Sequence, residues 1–382
     1  MRGRPSASTR DRRAGPAAGR ALRAGAGCGA HPGAGADRIR GDQWHLGYLR
    51  VAEAHRISRG AGVTVAVIDT GVDPHPDLRG NLLPGRDAFP GGTGMGQIDA
   101  DNHGTEIAGL IAAHGQGNGR GALGIAPEAK LLPVRYAVRP GTSDTDAEAV
   151  AAGIEWATNK GSKVINLSLG GGAGRQEIDA IQRAIDKDTV IVASVGNEPQ
   201  SLGVAFPATL TGVLAVGATN RQSLRAAFSA TGPELDIVAP GVDMYSTSTG
   251  GKYGKSSGTS DATAIVAGAA ALVRSRFPDL SAAEVVHRLT ATAIDRGPPG
   301  RDDEYGYGEL DLVAALTADV PPLTPSPSPT GPGAGPTAPD SPPPGAAPEH
   351  RGPLTAVMVG LAALFAVVVV VLLLAPHLRR RP

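Results

Sequence analysis

The chain of 382 residues holds one cysteine, Cys28. A disulfide framework or a Cys-based zinc site needs at least two, so both are excluded. Aromatic residues make up only 3%, which leaves Ala, Val, Leu and Ile to fill a core; at this length, 41% hydrophobic residues suffice. Net charge is missing as well, with 36 Lys+Arg against 36 Asp+Glu. The balance is uneven along the chain. Residues 1–40 carry nine Arg and two Asp, a surplus of 7, and Arg379, Arg380 and Arg381 add 3, leaving −10 for residues 41–378. A folded middle of that sign lacks the basic face that nucleic-acid binding requires, so no nucleic-acid partner is expected.

The long apolar run that the rest of the chain lacks stands at the C-terminus. Residues 354–375 are 22 consecutive residues without a charge. A helix of that length covers about 33 Å, enough for a hydrocarbon core of ~30 Å. The basic end at 376–382 then reads as a cytoplasmic tail, with everything before the span outside. Thirteen of the 33 residues 321–353 are Pro. Such a segment cannot offset chain entropy by burial, and 320–353 reads as an extended linker. Residues 1–40 have the positive charge of an export signal but no apolar core, and they are expected to be disordered.

Between these ends, residues 41–319 alternate two patterns. Apolar runs at 63–69, 130–136, 163–169, 189–196, 213–218 and 235–241 read as buried strands. Helical patterns occupy 103–114, 146–158, 176–187, 260–276 and 283–292, the last opened by a capping box from Ser281 to Glu284. The alternation predicts one α/β domain: a doubly wound, mainly parallel sheet with helices on both faces. Sites in such folds gather at the carboxyl ends of the strands.

Three segments carry reactive residues at those ends. Asp69 closes an apolar strand in VAVIDTG, His103 opens a helix in DNHGTEIAG, and Ser260 opens an Ala-rich helix in SSGTSDATA. Taken singly, each has an ordinary structural reading as a turn Asp, a surface His or an N-cap Ser. Together they form a chemical set. A serine hydroxyl is a poor nucleophile near neutral pH and needs an imidazole to take its proton. That imidazole in turn needs a carboxylate to fix its tautomer. The chain order Asp, His, Ser is one in which this geometry occurs.

DTG, HGT before a helix and GTS opening a helix resemble the signatures of the subtilisin-like serine proteases. The resemblance covers about residues 44–315. It implies a serine endopeptidase acting on proteins or peptides, with Asp69 orienting, His103 as general base and Ser260 as nucleophile. IVASVGNE is similar to the family's oxyanion segment, which implies Asn197 as a side-chain donor beside the Ser260 N–H. INLSLGGG resembles the strand that pairs with substrate, with Ser168, Leu169 and Gly170 taking the peptide as an added strand and Gly171 lining the specificity pocket. AFPATL implies a cis Phe206–Pro207 bond. Within the family, QWHL before the first strand, the Pro-rich linker, the single span and the basic end resemble the mycosins, membrane-anchored proteases of actinobacterial type VII secretion. A secretion complex is thus an expected partner.

The sequence departs from the family at Asp261 and Ala264, where Met and Pro are usual. Asp261 reads either as an acid stabilising the helix start or as a charge opposing the oxyanion. Asp77 matches a family calcium ligand, but the loop 114–124 adds only Gln116 and Asn118, and no metal or other cofactor is expected. The sequence carries three other readings. DTG alone is an aspartic-protease motif, but that chemistry needs a second carboxylate. Gly119, Gly121 and Gly124 fit a dinucleotide-binding spacing in the wrong context, after a helix and before a strand. A subtilase scaffold with weak or no proteolysis, serving as an assembly partner, stays open on sequence alone.

Overall fold

A computed structural model describes residues 36–136, 145–171 and 173–323. These belong to a contact unit that ends at Thr324. The apolar run 354–375, the basic end 376–382 and all but the first residues of the linker lie outside the described residues. Among the described residues no helix is long and apolar enough to cross a membrane.

The N-terminal part forms three short helices, α1 (Ala36–Asp42), α2 (Trp44–Tyr48) and α3 (Val51–Ala54). There follow β1 (Thr64–Asp69), β2 (Arg86–Asp87), α4 (His103–Ala112), β3 (Lys130–Arg135), α5 (Thr145–Asn159), β4 (Val164–Leu167), α6 (Arg175–Asp186), β5 (Val190–Ser194), β6 (Val213–Thr219) and β7 (Ile237–Pro240). A hairpin of β8 (Met244–Ser248) and β9 (Lys252–Ser256) precedes α7 (Thr259–Arg276), α8 (Ala282–Ala291) and α9 (Leu312–Thr317).

β1 to β7 make one parallel sheet in the order β2-β3-β1-β4-β5-β6-β7, while β8 and β9 pair antiparallel. The strand period of two sorts the core into two layers. Val65, Val67, Val190, Val192, Leu214 and Val216 pack with α4 and α7. Ala66, Ile68, Ile165, Leu167, Ile191 and Ala193 pack with Val150, Ile154, Ala180 and Ile181 of α5 and α6. Both faces of the strands are therefore covered, which is why they read as unbroken apolar runs. Each such Val, Ile or Leu contributes about 1.5–3 kcal/mol by leaving water. α7 is buried from Asp261 through Arg274. The doubly wound expectation holds, and the five helices start and stop within one or two residues of the sequence reading. Ser281 accepts from the Glu284 N–H, and Glu284 accepts from the Ser281 N–H, closing the capping box.

Sequence reasoning passed over the hairpin because MYSTS and KYGKS are not apolar. Its buried hydroxyls are satisfied instead of absent. Ser246 Oγ donates to the Glu106 carbonyl at 2.8 Å and Thr247 Oγ1 to the Thr105 carbonyl at 2.7 Å. Gly109 makes that approach possible, since a Cβ there would lie 2.2 Å from Thr247 Oγ1.

The expected disorder of 1–40 is corrected at its C-terminal edge. Residues 36–40 are helical and Ile39 is fully buried in the layer that holds α4 and α7. Arg40 Nε donates to the Gly121 carbonyl at 3.0 Å, tying the helix to the glycine-rich loop 80 residues on. The described fold thus reaches back to Ala36. Replacing Ile39→Ala is expected to lower unfolding free energy by about 2–4 kcal/mol, read as a reduced urea midpoint with unchanged slope.

Candidate active site

The sheet order sets β1 between β3 and β4. The chain leaves β1 toward β3 and returns on the other side as β4, a switch point where a crevice opens at the carboxyl ends. Asp69 ends β1, and Ser168 follows β4 directly.

Asp69 is 2% exposed, and its Oδ1 accepts from His103 Nδ1 at 2.7 Å and from the Thr70 N–H at 2.7 Å. The carboxylate can only accept here, so Nδ1 carries the proton and Nε2 is left as the basic nitrogen. Burial disfavours the imidazolium. The charge and hydrogen bond of Asp69, with the charges of Glu106 and Asp261, outweigh that and hold His103 above its ordinary value.

The pairing depends on a tight join between the exit of β1 and the start of α4. A Cβ on Gly104 would lie 2.0 Å from the Gly71 carbonyl oxygen. Thr70 Oγ1 accepts from the Gly104 N–H at 3.0 Å and donates to Asp99 Oδ1 at 2.9 Å. Asp99 is a hub that sequence reasoning missed. Its Oδ1 also accepts from the N–H groups of Asp101 and Asn102, and its Oδ2 from the N–H and hydroxyl of Thr105. The available signal was the short acidic and amide run before a helix start, DADN, which favours local side-chain-to-backbone bonds. Asn102 sits at φ 85°, and its Oδ1 accepts from Ser248 Oγ and the Thr249 N–H, both at 2.7 Å.

Ser260 is the second residue of α7. Its Oγ donates to the Ser168 carbonyl at 3.3 Å, while Ser168 Oγ donates to the Ser260 carbonyl at 3.0 Å and accepts from Asn166 Nδ2 at 3.0 Å. Asn197 Oδ1 accepts from the N–H of Thr259 at 3.0 Å and its hydroxyl at 3.2 Å. Those two donors fix the amide, leaving Nδ2 as the free donor edge. Thr259 is a second positioning residue that sequence reasoning did not find. Ser168, Leu169, Gly170, Gly171, Asn197 and Ser260 line a cleft of about 770 Å³, walled further by Ala205 and Phe206. The Phe206–Pro207 bond is cis, as expected. A smaller cavity of about 330 Å³ is shared by His103, Asn197 and Ser260. The structure therefore gathers all eight expected residues.

Asp261 lies in the first turn of α7, at the helix start where the sequence put it. It is 3% exposed and accepts a short hydrogen bond from Ser256 Oγ. Burial and the Glu106 charge push its carboxyl well above the usual range, against the pull of Ser256 and His103. Asp77 is also fully buried. Its carboxylate accepts from Gln116 Nε2 at 2.8 Å, the Ala122 N–H at 2.7 Å and Tyr253 OH at 2.9 Å, and Arg40 holds the adjoining loop carbonyls. Oxygens already turned to protein donors do not fit a calcium ion, which needs six to eight oxygen ligands. Among the described residues no group of three or more His, Cys, Asp or Glu is placed to hold a metal.

A serine at a helix start, an imidazole of fixed tautomer and an oriented amide donor on one crevice belong to a serine hydrolase. The Subtilase family model of peptidase S8 matches residues 60–308. A thermostable alkaline protease of Halalkalibacterium halodurans is 41% identical over 267 residues, 69% of this chain and 71% of that protein. The crystal structure of MycP1 with its N-terminal propeptide removed superposes with a TM-score of 0.66 at 34% identity, covering 73% of this chain and 98% of that one. The MycP3 protease from the type VII (ESX-3) secretion system gives 0.63 at 36%, covering 72% and 88%. The chain belongs to the subtilase family of serine peptidases.

Removing the Asp99 hub leaves five donors without an acceptor and frees the loop that aims His103. Asp99→Ala is expected to lower kcat by about 100-fold, the scale of an ångström-level misplacement, while near-UV circular dichroism stays native. A loss confined to KM would show that Asp99 serves substrate binding instead.

Proposed function

We propose that the protein is a membrane-anchored serine endopeptidase in which Asp69, His103 and Ser260 act as one unit. The observation that carries this is the 2.7 Å bond from His103 Nδ1 to buried Asp69, with Ser260 on the same cavity wall. Ser260 Oγ turns from the Ser168 carbonyl toward His103 Nε2, which takes its proton as Oγ attacks the scissile carbonyl. The carbonyl oxygen becomes an oxyanion between Asn197 Nδ2 and the Ser260 N–H. Imidazolium then gives its proton to the leaving amine, the C–N bond breaks, and water releases the acyl group by the reverse sequence. The peptide lies along Ser168, Leu169 and Gly170 as an added strand, with one side chain in the cleft beside Gly171.

Fluorophosphonate is expected to label the chain, and Ser260→Ala to abolish labelling. Asn197→Ala should cut kcat by roughly 100- to 1000-fold with little change in KM. An unlabelled, folded wild type would favour the scaffold reading. The pH dependence has a definite sign. The base must be neutral, and the imidazolium is stabilised, so kcat/KM should climb with pH through a midpoint above the ordinary ~6.5 of histidine. A midpoint at or below that value would contradict the charge environment of His103.

The anchoring half of the proposal is supported by the uncharged run 354–375 and the arginines behind it, and by likeness to MycP1 and MycP3, both described as belonging to type VII secretion systems. The peptidase domain then faces outward, the C-terminus lies in the cytoplasm, and a secretion complex is the natural partner. External protease on intact cells should cut within 321–353 and release an active soluble fragment. Recovery of the peptidase domain in the cytosol would reverse this topology.

A further inference from the structure

All four residues of β4, Val-Ile-Asn-Leu, are buried, and Asn166 is the one polar side chain among them. Val164 packs in the layer of α4 and α7, while Ile165 and Leu167 pack in the opposite layer. The strand period of two therefore puts Asn166 on the α7 side of the sheet with Val164. The amide is fully withdrawn from water. Its Nδ2 donates to Ser168 Oγ at 3.0 Å, but its Oδ1 has no hydrogen-bond partner among the described residues. An orphaned buried acceptor costs stability, and an apolar side chain of the same shape would avoid that cost. The mechanism gives Asn166 no role.

We propose that Asn166 is a positioning residue. By donating to Ser168 Oγ it directs the hydroxyl proton of Ser168 onto the Ser260 carbonyl, and so seats the first turn of α7, which carries the nucleophile. A serine hydroxyl has one proton and two lone pairs. With Asn166 Nδ2 on one lone pair, the proton points away from the amide and meets the Ser260 carbonyl, 3.0 Å from Ser168 Oγ. Ser260 Oγ returns a bond to the Ser168 carbonyl at 3.3 Å, so the chain leaving β4 and the start of α7 are joined twice. The helix offers the Ser260 carbonyl the N–H four residues on, along its axis. Ser168 adds a contact from the side of the sheet, and Asn166 fixes the direction of that contact. Two hydrogen bonds thus connect a buried amide to the residue that attacks. The inference deepens the reading of Ser260 as nucleophile and rests on it.

The test is a double-mutant cycle in the full chain. It is read by fluorophosphonate labelling, whose saturation separates the maximal rate from the apparent affinity. S168A should lower the maximal rate by about 10-fold, the scale of one hydrogen bond, with little change in apparent affinity. N166L should lower it by no more than S168A does. Its urea midpoint should stay level or rise, because the orphaned Oδ1 is gone. In the S168A background N166L should change nothing further, since the amide acts only through that hydroxyl. N166L at the wild-type rate, a loss that persists undiminished in S168A, or a loss that falls in apparent affinity would each overturn the proposal. N166A repeats the cycle if leucine does not fit the site. The carbonyl carbon shift of Ser260, read by NMR, follows the same relay without turnover. S168A and N166L should move it in the same direction, and a shift unmoved by either would also overturn the proposal. A chain whose shift responds in this way but takes no fluorophosphonate would instead sink the peptidase reading and leave the relay standing.

Discussion

Gly71 and Gly104 bring the exit of β1 against the start of α4 with no room for a side chain at position 104, where a Cβ would meet the Gly71 carbonyl oxygen at 2.0 Å. That contact sets the distance between Asp69 and His103, and the other local bonds serve to hold it. Thr70 bridges the two segments, Asp99 gathers the loop between them, and Asn102 fastens the same loop to the hairpin. The nucleophile arrives from a different quarter of the sequence on α7, whose first turn is locked to Asn197 by Thr259 and to Ser168 by a reciprocal pair of hydrogen bonds. Two rigid assemblies thus meet at one crevice, and preorganisation is a property of their backbones more than of the three reactive side chains.

The doubly buried strands were legible because parallel strands with both faces covered leave a continuous apolar run, and the start of α8 because it carries a capping box. Asp69, His103 and Ser260 were legible because glycines and small hydroxyl residues flank them in recognisable order. Asp99 was not, since its role depends on five donors that converge only after the loop has folded. The hairpin was not, since Ser246 and Thr247 are polar in sequence yet buried in fact, their hydroxyls spent on helix carbonyls. Residues 36–40 were misread because composition is an average. One isoleucine and one arginine sit at the end of a stretch dominated by Gly, Ala and Arg, and those two make the contacts.

The carboxylates show how burial and bonding separate residues of one chemical type. Asp77 and Asp99 are enclosed by donors, several from the backbone, and the fold supplies what water would have given, whereas Asp69 has two donors on Oδ1 and a buried Oδ2 with none. Asp261 has the Ser256 hydroxyl and its own backbone N–H against burial and an acidic neighbour, and its carboxyl is pushed well above the usual range. The same residue type therefore meets different surroundings in one fold, and burial beside another acid is what sets Asp261 apart.

The Arg40 guanidinium bridges to carbonyls of the glycine-rich loop across 80 residues of sequence. In a metal-bound loop the staple would be an ion exchanged with the medium. Here it is covalently part of the chain, so its local concentration is fixed and does not fall with dilution or with the composition of the surroundings. The loop is held both by Asp77 nearby and by Arg40 from ahead of β1, so part of its fastening is a contact of long sequence separation. Any trimming of the chain from its N-terminal side must accordingly stop short of Ile39, because a cut beyond Arg40 would remove the staple.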